Sequence, residues 1–469
     1  MYHFITPLWL AGLALLAATG LDWNENMTWY DQHRIEQIGL LCGVVGCLLT
    51  IWQRDLTTSV VGLPFWVKLA FAAALGLGWM SAVISISPRY ATLEWATMSL
   101  LLGMSWLLAR QAKTDLSFDQ WAIRLIVVLA VVIVLKIMAA YLAATLSIGH
   151  LDTILLFEGS FSNRRFFGQV ASMIIPLLAY PILRGHLPCS AQLALLALLS
   201  LWWMLVIASG TRGTWVALAV AAAVSGAFAW RASVVWLRIQ SLAFGIGVLL
   251  FGVLFVWLPI WIGLDTSLEN RLNNLVTLSG REVLWELAWA QIQAHPWLGI
   301  GPMQLAALRN DFGAHPHNAV LQLAAEWGIP AALALLLPLG YGLLRMLVRL
   351  RHQGERVGGL LVCLSGSLLA AGVQSMVDGV IVIPYTQTLL VFVAGWALGV
   401  YFRDVVIGPD ITDSRVWRLG VPVLSMFAVI VLLNGVFPEV LNRAELTQAY
   451  VDAGHSLIPP RYWAVGWIP

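Results

Sequence analysis

Runs of apolar residues near 20 long recur along the chain, separated by short polar turns. They fall at 4–20, 37–53, 63–85, 91–109, 121–148, 167–183, 190–208, 213–230, 242–262, 328–348, 357–374, 386–402 and 419–436. A helix needs about 20 apolar residues to cross a bilayer, so the pattern predicts an all-α polytopic protein with about 12–13 transmembrane helices. The first run lacks a small-residue cleavage site and reads as a retained helix. The boundaries divide the chain into an N-terminal bundle over 1–262, a loop over 263–317, a C-terminal bundle over 318–437 and a tail over 438–469. Within the loop the period changes. Arg281, Leu284, Trp285, Ala288, Trp289 and Ile292 recur at i, i+3, i+4 spacing, which predicts an amphipathic helix lying at the membrane surface with tryptophans at headgroup depth. His295-Pro296 breaks it, and Gly299 and Gly301 form the following turn.

Composition narrows the class. Only 11% of the 469 residues are charged, against about 25% in soluble domains. With a mean hydropathy of +0.83 the chain is excluded as a soluble enzyme, a disordered protein or a nucleic-acid binder. The net charge of +2 implies no polyanionic partner. Cys42, Cys47, Cys189 and Cys363 lie in or beside apolar runs without metal-ligand spacing. The cluster Arg345, Arg349, Arg351 and Arg356 marks a cytoplasmic turn, which puts the 263–317 loop and the tail outside. Arginines on the outer side then have no topological reason to be there.

Two of those arginines open helices. SGTRGTW puts Arg212 in a glycine-flanked turn, and SGREVLW puts Arg281 at the start of the surface helix. Free N–H groups at a helix start point the same way as the guanidinium, an arrangement suited to a diphosphate. Snorkelling to the headgroups is the competing reading. HPHN at 315–318 brings His315, His317 and Asn318 to another helix start, with Glu326 about two turns on. A histidine of near-neutral pKa can take a proton from an attacking hydroxyl. HxH alone does not complete a metal site, so no metal is expected there. FSNRRFFGQ adds Asn163, Arg164, Arg165 and Gln169 at a further outer helix start, and Asp378, Tyr385 and Gln387 interrupt the apolar run of QSMVDGVIVIPYTQ. An ionisable group at membrane depth is costly and marks a functional candidate, although Asp378 could equally pair with an arginine. Lys136, inside VVIVLKIMAAY, has no evident role.

SGTRG, SGRxxLWxxAWxxxxxxPWLGIG and HPHNxxLQxxAEWG, in that order over about 205–335, resemble the O-antigen ligase superfamily. It includes lipopolysaccharide O-antigen ligases, O-antigen polymerases and bacterial protein O-oligosaccharyltransferases. The resemblance implies a GT-C-like, metal-independent glycosyltransferase of the bacterial inner membrane, without cofactor, acting on the periplasmic side. Its implied donor is an undecaprenyl-diphosphate-linked glycan, with Arg212 and Arg281 on the diphosphate and His317 activating the acceptor hydroxyl. FSNRRFFGQ is similar to the Asn/Gln motif of the protein transferases. QSMVDGVIVIPY resembles their HSMxEYPLWY segment, with Gln374 in place of His, Asp378 in place of Glu, and Tyr385 displaced. Asn163, Arg164, Arg165, Gln169, Asn318, Asp378 and Tyr385 are the candidate donor or acceptor contacts. The length fits the pilin-type branch, and also a lipopolysaccharide ligase, so the acceptor is a pilin-like protein or lipid A-core. A lipid-linked glycan transporter is the competing class. The long outer segment disfavours it, because rocking transporters have short loops and midplane sites.

Lysine substitution separates diphosphate binding from snorkelling. Lysine keeps the charge but loses the paired fork of donors, and snorkelling needs only charge on a long stem. Arg212→Lys and Arg281→Lys are each expected to weaken donor use by roughly 10–150-fold, the equivalent of about 1.5–3 kcal/mol. Arg349→Lys in the cytoplasmic turn should change nothing. Donor kinetics at saturating acceptor check this, and normal kinetics in both outer variants would return these arginines to the headgroups.

Overall fold

The computed structural model describes residues 27–54, 62–147, 150–153, 155–266, 280–353, 358–403, 415–454 and 460–468. The 4–20 run and residues 267–279 of the loop lie outside them. Among the described residues, eight helices are long and apolar enough to cross a membrane, and the protein is an all-α polytopic membrane protein.

The difference from the 12–13 runs has local reasons. The helix α3 (Pro88–Thr114) covers the 91–109 run but is too polar along its length to qualify by composition, and α1 (Trp29–Arg54) covers the 37–53 run. The 213–230 and 242–262 runs fall in one apolar stretch, Arg212–Ile262, which Ala229 interrupts at φ −139°, ψ 47°. The 357–374 run forms a shorter apolar helix, Gly359–Gln374. Many apolar side chains on the outer faces are open, Leu249, Ile260 and Trp261 being at least 70% exposed. Patches of that kind suit contact with lipid.

The chain divides into two compact units. One takes in Leu116–Thr277 and Leu343–Gln374. It holds α4 (Phe118–Ser147), α5 (Leu155–Phe161), α6 (Arg164–Leu178), α7 (Tyr180–Leu183), α8 (Cys189–Ser209), α9 (Arg212–Phe251) and α10 (Leu258–Ile262), with a parallel bridge between His150–Leu151 and Asp265–Thr266. Its centre is α6, buried from Phe166 to Leu178. The last carbonyls of a helix have no intrahelical partner, and no water reaches them in a dry core. Here α9 supplies the donors: Trp236 Nε1 bonds Pro176 O at 3.1 Å and Gln240 Nε2 bonds Ile175 O at 3.0 Å. Between α9 and α10 the backbone loosens to a π-helix, Gly252–Trp257, where Leu254 O accepts from the Tyr141 hydroxyl at 2.5 Å.

The other unit takes in Trp23–Asp115, Leu278–Gly342 and Ser375–Pro469. Its elements are α1, α2 (Phe65–Ile84), α3, α11 (Arg281–Ala294), α12 (Ala319–Trp327), the first part of α13 (Ile329–Gln353), α15 (Pro384–Phe402), α16 (Arg415–Val440) and α17 (Arg443–Asp452). Helix α14 (Gly359–Gln374) belongs to the first unit. A helix forms over the expected stretch as α11: Leu284, Ala288 and Ile292 face inward, and Trp289 is exposed. After α11 the chain runs back along the end of α12. Ile300 N bonds Ala325 O and Gly301 N bonds Glu326 O, at 3.0 and 2.9 Å.

The contact of α15 with α3 is set by missing side chains. A Cβ at Gly395 would lie 2.6 Å from Ser105 O, and one at Gly399 2.5 Å from Ala109 O. Small residues let membrane helices approach until their backbones touch. Gly399→Val should therefore destabilise the protein by at least the 1–3 kcal/mol typical of overpacking. Gly76→Ala, where a Cβ meets nothing within 4 Å, should be neutral or mildly stabilising. Thermal unfolding of the purified protein in detergent checks both.

Candidate functional site

In the first unit, Arg212 is the first residue of α9, and Gly210 turns the chain into it at φ 63°. Helix α6 begins beside that turn. Asn163 caps it, its Oδ1 accepting from Arg165 N at 2.9 Å. Arg164 Nη1 reaches Ser209 O at 3.4 Å. Gly168 brings the two helix starts into contact, since a Cβ there would lie 2.4 Å from Thr214 Oγ1 and 2.8 Å from Thr211 Oγ1. Thus Arg164 and Arg212, far apart in sequence, open neighbouring helices, with Gln169 buried one turn further along α6. Two helix N-termini and their guanidinium groups make this face of the unit attractive to an anion.

In the second unit, residues 315–318 form a tightly held loop before α12. Asn318 caps the helix by accepting from Leu321 N at 3.0 Å, and its Nδ2 donates to Met376 O at 3.1 Å. Ala319 N bonds Ser375 O at 2.8 Å. The 375–379 segment is thereby fastened to the helix start, which places Asp378 Oδ1 3.8 Å from His317 Nδ1. Asp378 thus faces a histidine. His317 has φ 52°, a strained value for a residue with a Cβ, and such strain persists only where the surroundings enforce it. Its N–H points at His315 Nδ1, 3.3 Å away, which makes that nitrogen an acceptor and leaves the His315 proton on Nε2. The two rings are 4.1 Å apart between centroids. At Gly313 a Cβ would lie 3.8 Å from His317 Nε2, so that glycine runs past this edge of the ring.

Arg281 opens α11 in the same unit, after Gly280 in the left-handed conformation. One turn on, Trp285 Nε1 donates to Pro316 O at 2.9 Å, tying the arginine-bearing helix to the peptide between the two histidines. Tyr385 belongs to the same unit, with its ring 4.9 Å from His33 and near enough to Asp378 to feel its charge. The candidates thus divide: Asn163, Arg164, Arg165, Gln169 and Arg212 belong to the first unit, and Arg281, His315, His317, Asn318, Asp378 and Tyr385 to the second. Among the described residues no group of three His, Cys, Asp or Glu side chains is placed to hold a metal ion.

Several residues without a role in the sequence reading matter here. Gly379 is one: a Cβ would fall 2.7 Å from His315 Cε1, so only glycine lets that ring sit where it does. Trp285 is another. A third group is charged and buried. Arg461 bonds both oxygens of Glu94 at 2.8 Å and Glu326 Oε2 at 2.5 Å. Burial pushes the Glu326 carboxyl up to about 7, with Arg461 opposing and Glu94 adding to the rise. Burial also works against the Arg461 charge, but Glu326 and Glu94 outweigh it and hold its pKa above the ordinary arginine range. Glu94 inside an apolar run and Glu326 about two turns after the HPHN motif were the signs of this cluster in the sequence.

Residues 194–336 match a family model described as O-antigen ligase. No curated protein matches the chain. The matched stretch takes in Arg212, Arg281, both histidines, Asn318 and Glu326.

Trp285→Phe keeps the ring and removes the N–H that satisfies the Pro316 carbonyl. Leaving a buried acceptor without its partner costs about 1–3 kcal/mol. The variant should lose that much in unfolding measurements, and amide exchange of Ala319 should quicken because the loop before it is no longer held. Unchanged exchange would show that α11 does not restrain the histidines.

Proposed function

Taking the O-antigen ligase segment at residues 194–336 as the premise, we propose that this multi-pass membrane protein transfers a preassembled oligosaccharide from undecaprenyl diphosphate to a hydroxyl on the periplasmic side of the bacterial inner membrane. The single observation that carries the reading is His317, held in a strained conformation before α12 with Asp378 Oδ1 3.8 Å from its Nδ1. An imidazole oriented on one nitrogen by a carboxylate is equipped to act as a base on the other. The acceptor oxygen attacks the anomeric carbon of the glycan, and the bond from that carbon to the phosphate oxygen breaks. The hydroxyl proton goes to His317, and undecaprenyl diphosphate departs. Asp378 stabilises the imidazolium that forms. Arg212 and Arg281 bind the diphosphate, where negative charge grows as the bond breaks, and Arg164 adds positive potential beside Arg212. The donor brings its own leaving group, so neither a metal nor a cofactor enters the scheme.

The acceptor we favour is a pilin-like protein, with Asn163, Arg165, Gln169, Asn318 and Tyr385 as further contacts to donor or acceptor. The family description of the matched segment supports a second reading, transfer to lipid A-core. Neither acceptor changes the chemistry at His317.

His317→Ala should lower transfer by about 10²–10⁴-fold, the usual loss of general-base catalysis, with expression and membrane insertion intact. His315→Ala should be milder. Purified protein in liposomes, supplied with lipid-linked donor but no ATP or ion gradient, provides the assay and separates a transferase from a transporter. Retention of more than half the transfer by His317→Ala would overturn the mechanism.

A further inference from the structure

The segment 460–468 lies inside the second unit, with Arg461, Tyr462, Trp463, Ala464 and Ile468 all buried. Its contacts reach across that unit. Arg34 in α1 donates through Nε to Tyr462 O at 2.8 Å, and Asp31 accepts from Ala464 N at 2.7 Å. The Tyr462 hydroxyl meets Thr97 Oγ1 in α3 at 3.1 Å. Trp463 Nε1 bonds Glu439 in α16 at 2.5 Å, and Ile468 N bonds Ala306 O at 3.2 Å.

Arg461 is the centre of these contacts, and its partners point to a task. Glu326 sits in the last turn of α12, fully buried. Gln322, one turn earlier, accepts from Nη1 and Nη2 at 2.8 and 2.9 Å with its amide oxygen turned toward the guanidinium, the orientation that satisfies both groups. On the other side Glu94 belongs to α3. The guanidinium therefore clamps two successive turns of α12 to α3. Helix α12 has nine residues, and His317 stands directly before its cap, Asn318. A helix this short moves as a rigid rod, so a shift of its far end is passed to the loop at its start.

We propose that Arg461 is a positioning residue for His317, acting through α12, so that the 460–468 segment is part of the reaction apparatus. The proposal rests on the reading of His317 as the base. Without the guanidinium, the buried Glu326 carboxylate loses its counter-charge and must take up a proton or drag the end of α12 toward water. A misplacement of about 1 Å at a reacting group can cost about 100-fold in rate.

The test compares Arg461→Met with Arg461→Lys in protein reconstituted into lipid nanodiscs. Three quantities are read: kcat and donor KM for a polyprenyl-diphosphate-linked oligosaccharide, the rate at which diethyl pyrocarbonate modifies His317 by mass spectrometry, and the melting temperature. Arg461→Met should lower kcat by about 10–100-fold at nearly unchanged donor KM and alter the His317 modification rate at least threefold. Arg461→Lys, which keeps the charge and one or two of the bonds, should recover much of both. If Arg461→Met fails to fold, the triple variant Glu94→Gln, Glu326→Gln, Arg461→Met removes the buried charges together and takes its place, with the same expectation. A variant that changes only the melting temperature, with wild-type kcat and His317 modification, overturns the proposal. An altered His317 modification rate in a protein whose His317→Ala variant transfers normally would uphold the positioning while removing His317 as the base.

Discussion

A guanidinium taken out of water must meet its counter-charges directly, and Arg461 meets two at once in Glu94 and Glu326. Removing one partner of a buried pair typically costs about 3–5 kcal/mol, because the other charge stays behind unpaired. That penalty makes the cluster demanding about geometry. Helix α3 brings Glu94, α12 brings Glu326 and Gln322, and the 460–468 segment brings the arginine, so all three must be in place together. One guanidinium between two carboxylates leaves an excess negative charge, and burial first, with Glu94 adding to it, raises the pKa of Glu326. Around this point the unit closes with Arg34, whose donors go to Gln37 and Gln387 and to the carbonyls of Val382 and Tyr462.

The histidine loop depends on the same economy of polar groups in a dry setting. Several backbone groups near 315–319 are committed: Pro316 O to Trp285, His317 N to His315, and Ala319 N to Ser375 O. Such commitments allow His317 to keep a left-handed backbone that it would not choose alone. Rigidity of this kind is what the role proposed for His317 requires, since a base must wait in position and not search for it. The arginine face of the first unit is built on a different device. There two helix starts are brought side by side by a glycine, and positive potential comes from peptide dipoles as well as from side chains.

Several glycines in this molecule act as permissions for contact. Gly395 and Gly399 let α15 touch the backbone of α3, Gly168 lets α6 meet the turn before α9, and Gly379 admits the His315 ring. Each lies where an ordinary side chain would have to overlap a neighbour. In lipid, where the hydrophobic effect between helices is absent, close backbone approach supplies van der Waals contact in its place. Helix packing and site assembly are therefore served by the same residue type.

Length and composition of the apolar runs determined the membrane class and most helices, because a bilayer demands about 20 apolar residues whatever the partners are. Local motifs announced Arg212, Arg281 and the HPHN loop, since turns and caps are written in neighbouring residues. The i, i+3, i+4 pattern of 281–292 likewise predicted α11. What no local pattern could say was which distant residues meet. Asp378 reaches His317 only because Asn318 and Ala319 bond the 375–376 backbone, and Trp285 reaches Pro316 only because α11 folds beside α12. Arg461 followed an unremarkable stretch in a segment that reads as a tail, and its meaning comes from Glu94, 367 positions earlier, and Glu326, 135 positions earlier. Charge pairing over such separations depends on how helices pack, and packing is a property of the folded chain that one-dimensional periodicity does not contain.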